Sequence, residues 1–162
     1  MAVSDYQALI DKHAAAFQLP AAWIKAIMMK ESSGIPTAYR AEPKINDASY
    51  GLMQLLYGTA RGLGYAGTKE GLYDPDTNIY LGSKLIAQHR AAYGDDIQRI
   101  YSAYISGRPD KYLTDAYVSQ QVAKVVDFVY DFLKEEPLIA TAGAGGGLLI
   151  VVLLWLWAKK RK

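Results

Sequence analysis

Hydrophobic residues recur at helical spacing through most of the chain, and turn formers separate these stretches from one another. The pattern predicts six helices. The first three run from a capping box of Ser4 and Gln7 to about residue 18, from Pro20 to Gly34, and from Gly51 to about Leu63. The last three run from Asp74-Pro75 to about Tyr93, from Asp95 or Asp96 to near Gly107, and from a cap at Thr114 onward.

The last of these predicted helices has an apolar stripe, and a core-facing side is expected for it. The stripe consists of Val118, Val122, Val125, Val126, Val129 and Phe132. Residues 34–50 lack helical periodicity, contain two prolines and have turn formers at Asn46-Asp47, which predicts a loop or a short β ribbon. We therefore expect a mainly α fold, or an α+β fold with one small β element.

A second region follows Pro137. Leu138 to Trp157 is 20 residues without a charge, which as a helix is roughly 30 Å long and matches the hydrocarbon thickness of a bilayer. Trp155 and Trp157 suit a membrane interface, and a basic tail follows directly. We predict a globular domain at 1–136, a transmembrane helix at 137–158 and a basic tail at 159–162. The alternative is a buried core helix.

Charge and composition narrow the function. Residues 1–136 carry 14 Lys/Arg and all 16 Asp/Glu, so the domain lacks the basic excess of a nucleic-acid-binding protein, and no nucleic-acid partner is predicted. The chain has no cysteine, and His13 and His89 lie on different predicted helices. No metal site, cofactor or catalytic triad is predicted from these residues.

Glu31 is the strongest candidate for chemistry. At roughly 100° per residue it falls about 80° from Trp23, inside an apolar arc of the predicted helix. Ile24, Ile27 and Met28 define that arc. Apolar surroundings raise the pKa of a carboxyl, because desolvation disfavours the anion, and a raised pKa suits a general acid. The alternative is a last-turn glutamate that turns out to solvent.

Several segments in order resemble the soluble lytic transglycosylase domain of the lysozyme-like superfamily. They are Glu31-Ser32-Ser33-Gly34, Ser49-Tyr50-Gly51-Leu52-Met53-Gln54, Thr59-Ala60, Asp74-Pro75 with Asn78-Ile79 and Gly82, Ala103-Tyr104-Ile105-Ser106-Gly107, and Thr114 with Tyr117-Val118 and Val122. The similarity covers about residues 18–126. Any one motif is weak by itself, whereas the whole set in family order is specific.

The resemblance implies roles for individual residues. Glu31 would be the single catalytic acid and base, which cleaves the bond between N-acetylmuramic acid and N-acetylglucosamine and closes a 1,6-anhydro ring. The expected substrate-binding residues are Ser49, Met53, Gln54, Tyr104 and Tyr117. Gln54 would line the sugar groove, Tyr104 would lie near the scissile bond, and Tyr117 would hydrogen-bond the Glu31 carboxyl. The implied partner is the glycan strand of peptidoglycan.

Three departures from the family pattern leave alternatives open. Ile105 stands where the family usually has Asn, Leu56-Tyr57 replaces Met-Pro, and the loop between Glu31 and Gly51 is somewhat longer than usual. Tyr57 could stack on a sugar or pack internally. Ile105 and the altered stretch after Gln54 favour a non-catalytic glycan-binding or structural membrane protein of the same fold, whereas the retained Glu31, Gln54 and Tyr117 argue against it. Asp47 could activate water, as in a goose-type-like lysozyme that hydrolyses the same bond, or it could be a turn aspartate.

The membrane prediction bears on location. Lys and Arg at the end of the predicted span favour a cytoplasmic tail with the domain outside, yet the N-terminus has no signal-peptide pattern. We expect a single-pass protein, either in the internal membrane of a phage virion, where it opens the wall for genome entry, or in the bacterial inner membrane facing the periplasm. Residues 138–157 would contact lipid. A G-x-x-x-G pair at Gly143 and Gly147 could pair copies of the chain or bind virion membrane proteins.

Overall fold

The computed structural model describes residues 2–135. The helices are α1 (Gln7–Phe17), α2 (Ala21–Ser32), α3 (Tyr57–Gly62), α4 (Pro75–Tyr93), α5 (Ile97–Ser106) and α6 (Ala116–Glu135). Short 3-10 turns lie at Val3–Tyr6, Pro43–Ile45, Glu70–Tyr73 and Lys111–Leu113. The mainly α fold with one small β element is confirmed.

The β element is a three-stranded antiparallel sheet in the order β1 (Tyr39–Glu42), β2 (Asp47–Tyr50) and β3 (Leu55–Leu56). Tyr39 lies opposite Tyr50 across the first pair of strands. The prediction of a ribbon within residues 34–50 is therefore correct. The third strand extends it beyond that range.

Helix α2 lies at the centre of the core. Ile24, Ile27 and Met28 are completely buried, and Trp23 is nearly so. A helix that is apolar on most of its surface needs neighbours on several sides, and α2 contacts α1, α4 and α6. The α6 stripe is buried as predicted, with Val126 and Phe132 only partly covered. This burial holds the C-terminal end of α2, and with it Glu31, in a fixed place.

The predicted caps of the first and last helices are wrong. Ser4 lies within a 3-10 turn, and α1 begins only at Gln7. At the start of α6, the Asp115 carboxylate accepts a hydrogen bond from the Val118 backbone N–H at 3.0 Å, whereas the Thr114 hydroxyl donates to a backbone carbonyl. A carboxylate is the stronger acceptor for an exposed helix N-terminus, which explains why Asp115 is the cap.

The third helix begins later in the structure than the sequence predicts. Residues 51–54 form a turn, β3 follows, and α3 starts at Tyr57. Gly51 has a φ of +73° and Gln54 a φ of +46°, both in the left-handed region, so a right-handed helix cannot pass through them.

Asn78 anchors this turn to α4. Its side-chain amide donates to the carbonyls of Tyr50 at 2.9 Å and Leu72 at 2.7 Å, and its Oδ1 accepts from the Met53 N–H at 2.7 Å. Asn78 is completely buried. A Cβ at Gly51 would lie 2.6 Å from the Asn78 nitrogen, so glycine is required by close approach as well as by φ.

Within residues 2–135, no helix has the length and apolar character needed to cross a bilayer. The predicted span at 137–158, its Gly143 and Gly147 pair and the basic tail lie outside the described residues.

Candidate active site

A cavity of about 450 Å³ opens where the end of α2 meets the sheet, α5 and the start of α6. Its lining residues are Glu31, Arg40, Glu42, Ile45, Ser49, Gln54, Leu56, Tyr104, Ile105 and Tyr117. The fold thus gathers most of the predicted site residues from separate parts of the chain around one carboxyl group. Met53 is the exception, since it is absent from this lining.

Glu31 lies in the last turn of α2 and is partly buried. Its Oε1 accepts a hydrogen bond of 2.5 Å from the Tyr101 hydroxyl. Burial raises the pKa of Glu31, while the Tyr101 hydrogen bond and the charges of Lys30 and Arg40 act in the opposite direction. The inward position and raised pKa expected from the helical wheel are both present.

Tyr101, rather than Tyr117, donates the hydrogen bond to Glu31. Tyr101 is 1% exposed, and burial next to Glu31 raises the pKa of its hydroxyl, which keeps it a proton donor. Tyr117 lines the cavity but is 64% exposed. The sequence does contain a signal for Tyr101, because it precedes Tyr104 by three residues and therefore shares a face of α5. The two rings stack with centroids 6.2 Å apart.

Tyr104 fixes the wall of the cavity through the turn before β3. Its hydroxyl donates to the Met53 carbonyl at 2.7 Å. The Met53 side chain is 0% exposed and packs close to Gly82. The predicted contact of Met53 with sugar therefore does not fit its position, since a completely buried thioether cannot reach a ligand. Its main chain supports the site instead.

Gln54 and Ser49 line the cavity as the sequence predicted. The Gln54 side-chain amide donates to the carbonyls of Ala38 at 3.1 Å and Gly51 at 3.0 Å. Both amide hydrogens are thus used to hold the turn, and Oε1 is the group left to accept from a ligand. Ser49, in β2, is nearly buried at 1% exposure.

The second carboxylate of the cavity is Glu42, which the sequence analysis missed. Glu42 forms an ion pair of 2.6 Å with Arg40 on the same strand. Asp47 does not line the cavity around Glu31. Its two carboxylate oxygens accept from the backbone N–H groups of Ala48 at 2.7 Å and Gly58 at 2.8 Å, so Asp47 acts as a turn aspartate that joins β2 to α3.

The departures from the family pattern have distinct positions. Ile105 and Leu56 line the cavity and give it apolar surface. Tyr57 does not line it, and its hydroxyl donates to the Gly67 carbonyl at 3.2 Å. Tyr57 therefore packs locally. In residues 2–135, no cluster of three or more His, Cys, Asp or Glu residues is placed to hold a metal ion.

Comparison with known protein families identifies the family of this chain. The model of the Transglycosylase SLT domain matches residues 8–123. The matched residues include Glu31, the turn at Gln54, the helix α5 with Tyr101 and the first part of α6 with Tyr117. The chain belongs to the Transglycosylase SLT domain family.

Solved structures of larger proteins share this fold. An inactive mutant of the lytic transglycosylase Slt from Pseudomonas aeruginosa is 23% identical with a TM-score of 0.70, over 80% of this chain and 24% of that one. The 70 kDa soluble lytic transglycosylase from Escherichia coli is 21% identical with a TM-score of 0.68, over 81% of this chain and 25% of that one. A complex of the 70 kDa soluble lytic transglycosylase with bulgecin A is 21% identical with a TM-score of 0.67, over 86% of this chain and 26% of that one. This chain spans about a quarter of their length.

Proposed function

We propose that this protein is a peptidoglycan lytic transglycosylase that cleaves the β-1,4 bond between N-acetylmuramic acid and N-acetylglucosamine. The observation that carries the proposal is Glu31, a carboxyl of raised pKa at an open cavity, held by the Tyr101 hydroxyl at 2.5 Å. Membership of the Transglycosylase SLT domain family supports the same reaction class.

One carboxyl group is sufficient for this reaction. Protonated Glu31 gives its proton to the glycosidic oxygen as the bond to muramoyl C1 breaks, and the 2-acetamido oxygen of the substrate bonds to C1. The Glu31 carboxylate then removes the proton of the C6 hydroxyl, whose oxygen attacks C1 and displaces the acetamido oxygen. The product is a 1,6-anhydro ring, and Glu31 is protonated again. No water molecule is consumed.

The surrounding residues support these two proton transfers. The Tyr101 hydroxyl fixes the direction of the Glu31 carboxyl and stabilises its anionic form between the steps. We assign sugar contacts to Gln54 Oε1 and the exposed Tyr117, which line the same cavity, whereas Ser49 is almost completely buried in its wall. Tyr104 shapes its wall through the Met53 carbonyl.

The test is to incubate the full-length chain, in mild detergent, with purified peptidoglycan and to identify the released fragments by mass spectrometry. The expected products end in 1,6-anhydro-muramic acid, and Glu31→Gln should abolish them. Asp131→Asn is the matched control, because Asp131 is an exposed carboxylate on α6 that, among residues 2–135, pairs with Lys134. Absence of any product from a chain whose circular dichroism is native would favour the non-catalytic, glycan-binding alternative.

A hydrolytic reaction is the second candidate, because Glu42 lines the cavity together with Glu31. In that case Glu42 would activate a water molecule and the products would have reducing ends. Reducing ends that disappear in Glu42→Gln would establish the lysozyme reaction. Anhydro products that persist in this variant would exclude that role for Glu42.

We further propose that residues 137–158 anchor the enzyme in a membrane, with delivery to the cell wall by a phage virion that contains a membrane as the specific setting. The support is the uncharged run from 138 to 157 and the basic tail. Detection of the protein in purified virions, and its extraction only by detergent, would support this setting. Recovery of the protein solely from uninfected bacterial membranes would point to a cellular enzyme.

A further inference from the structure

A second cavity lies between α1, the first half of α4 and the segment after α3. Its volume is about 590 Å³, and it shares no lining residue with the cavity around Glu31. This volume is within the range of about 300–1,000 Å³ that is typical of small-molecule sites. We call it the α1/α4 groove. The reaction proposed above makes no use of it.

An exposed aromatic ring forms one wall of the groove. Tyr80 is 41% exposed, although two neighbouring rings hold it in place. The centroid of Phe17 lies 5.4 Å from that of Tyr80, and His13 lies edge-on at 5.6 Å. A ring fixed in this way offers an apolar face and a polar hydroxyl with little loss of conformational entropy on binding.

Fixed polar groups form the adjacent wall. The Asp76 carboxylate accepts from Lys12 Nζ at 3.0 and 2.8 Å and lies 2.6 Å from His13 Nε2. His13 is 4% exposed, so its ring is immobilised by packing, and because a carboxylate only accepts, the ring nitrogen donates. Lys84 lines the same groove and donates to the Leu63 carbonyl at 2.9 Å.

The charges of the groove favour an uncharged polar ligand. The lining contains one carboxylate, Asp76, and two ammonium groups, Lys12 and Lys84, so an anion meets Asp76 and a cation meets the two lysines. A ligand with many hydroxyl groups and a partly apolar ring face can use the acceptor, the donors and the aromatic face together. A saccharide has this chemistry, whereas a peptide or a lipid lacks the dense hydroxyl groups.

We propose that the α1/α4 groove is a second binding site for N-acetylated saccharide, which holds a glycan segment away from the cleavage site. The inference rests on the proposed function for the identity of the sugar. Its consequence is that the enzyme remains attached to its polymer between cleavage events.

The test uses the full-length Glu31→Gln chain in detergent, labelled with ¹⁵N and titrated with tetra-N-acetylchitotetraose. We expect amide shifts in two groups, one at the catalytic cavity and one at Ala66, Thr77 and Tyr80. Tyr80→Ala should weaken the saturation of the groove group at least tenfold and leave the cavity group unchanged. Tyr93→Ala is the control, because Tyr93 lies on the same helix but stacks on His89 outside the groove.

A second variant approaches the site from its polar wall. Asp76→Asn loses the anion that orients Lys12, and we expect a similar selective weakening of the groove shifts. Shifts confined to the catalytic cavity would overturn the second site without affecting the proposed reaction. Equal movement of the groove amides by inorganic phosphate would also overturn it, since the groove would then select anions. If the wild-type chain binds saccharide in the groove but releases no anhydro products, the second site would be supported and the proposed reaction contradicted.

Discussion

Two carboxyl groups, Glu31 and Asp76, illustrate how the surroundings of one chemical group determine its use. Glu31 is partly buried beside Tyr101, and desolvation raises its pKa. Asp76 is about half exposed and accepts from Lys12 and His13, and these hydrogen bonds lower its pKa. The first group is suited to exchange a proton, whereas the second remains an anion and can only accept hydrogen bonds.

The largest expected effect comes from shortening the side chain of Glu31, the proposed catalytic residue. Glu31→Asp keeps a carboxyl but withdraws it by one methylene from Tyr101 and from the scissile bond. Activity on peptidoglycan should fall about 10²-fold, since displacement by about 1 Å has this effect on positioned groups. Asp131→Glu, a change of equal size at an exposed site, should leave the rate unaltered. A comparable rate for Glu31→Asp would contradict the positional role of this carboxyl.

A smaller effect is expected when the hydrogen bond to Glu31 is removed. Tyr101→Phe should raise the pKa of Glu31 further, because the hydroxyl favours the anion. The alkaline limb of the pH–rate profile should move to higher pH, and the maximal rate should fall about tenfold, as a lost hydrogen bond to a charged group would give.

Tyr104→Phe is the matched control for this change. The Tyr104 hydroxyl donates to the Met53 carbonyl rather than to Glu31. Its pH limb should therefore stay in place, even if the rate declines. A shift of equal size in both variants would mean that general changes in the cavity, and not the direct hydrogen bond, govern the pKa of Glu31.

The raised pKa of Glu31 should also be visible in stability. The folded chain binds the Glu31 proton more tightly than the unfolded chain, so this group favours folding most below its ordinary pKa of 4.5 and less as pH rises through the raised value. Glu31→Gln should therefore increase the free energy of unfolding by about 1 kcal/mol at pH 7 and not at pH 4. Urea unfolding at the two pH values measures this, and a destabilised variant at pH 7 would contradict it.

Replacement of Asp76 should change the stability in the opposite direction, and this is the smallest of the expected effects. Its lowered pKa means that its contribution is present above the ordinary value of 3.8 and is lost as pH falls through the lower folded value. Asp76→Asn should destabilise the protein by less than about 1 kcal/mol at pH 7, because the pair with Lys12 is largely exposed. The difference should disappear at pH values below that lower folded value. A loss that persists there would indicate packing rather than charge.

Features set by local sequence were predictable. The inward position of Glu31 follows from residues within two turns of α2, and the α6 stripe follows from its own periodicity. The start of α3 was not predictable, because Gly51 and Gln54 adopt a left-handed backbone conformation that Asn78 stabilises from α4. Propensity within a short window contains no information on such a distant partner.

The same distinction applies to the site. Gln54, Ser49 and Tyr104 were placed at the cavity by motif, and they line it. Met53 is completely buried and does not line the cavity. The donor to Glu31 is Tyr101, not Tyr117 as the motif implied. Which of two tyrosines reaches a carboxyl depends on how α5 and α6 pack on α2, and that is decided by tertiary contacts.

Glu31 and Tyr101 are 70 positions apart in the chain. In a nascent or unfolded chain Glu31 is therefore an ordinary solvated glutamate, which is ionised at neutral pH and is no proton donor. It acquires its raised pKa only when folding buries its carboxyl group. If the protein cleaves peptidoglycan as proposed, it has a form of built-in latency, because a polypeptide that is still being synthesised, transported or degraded has no proton donor at this position.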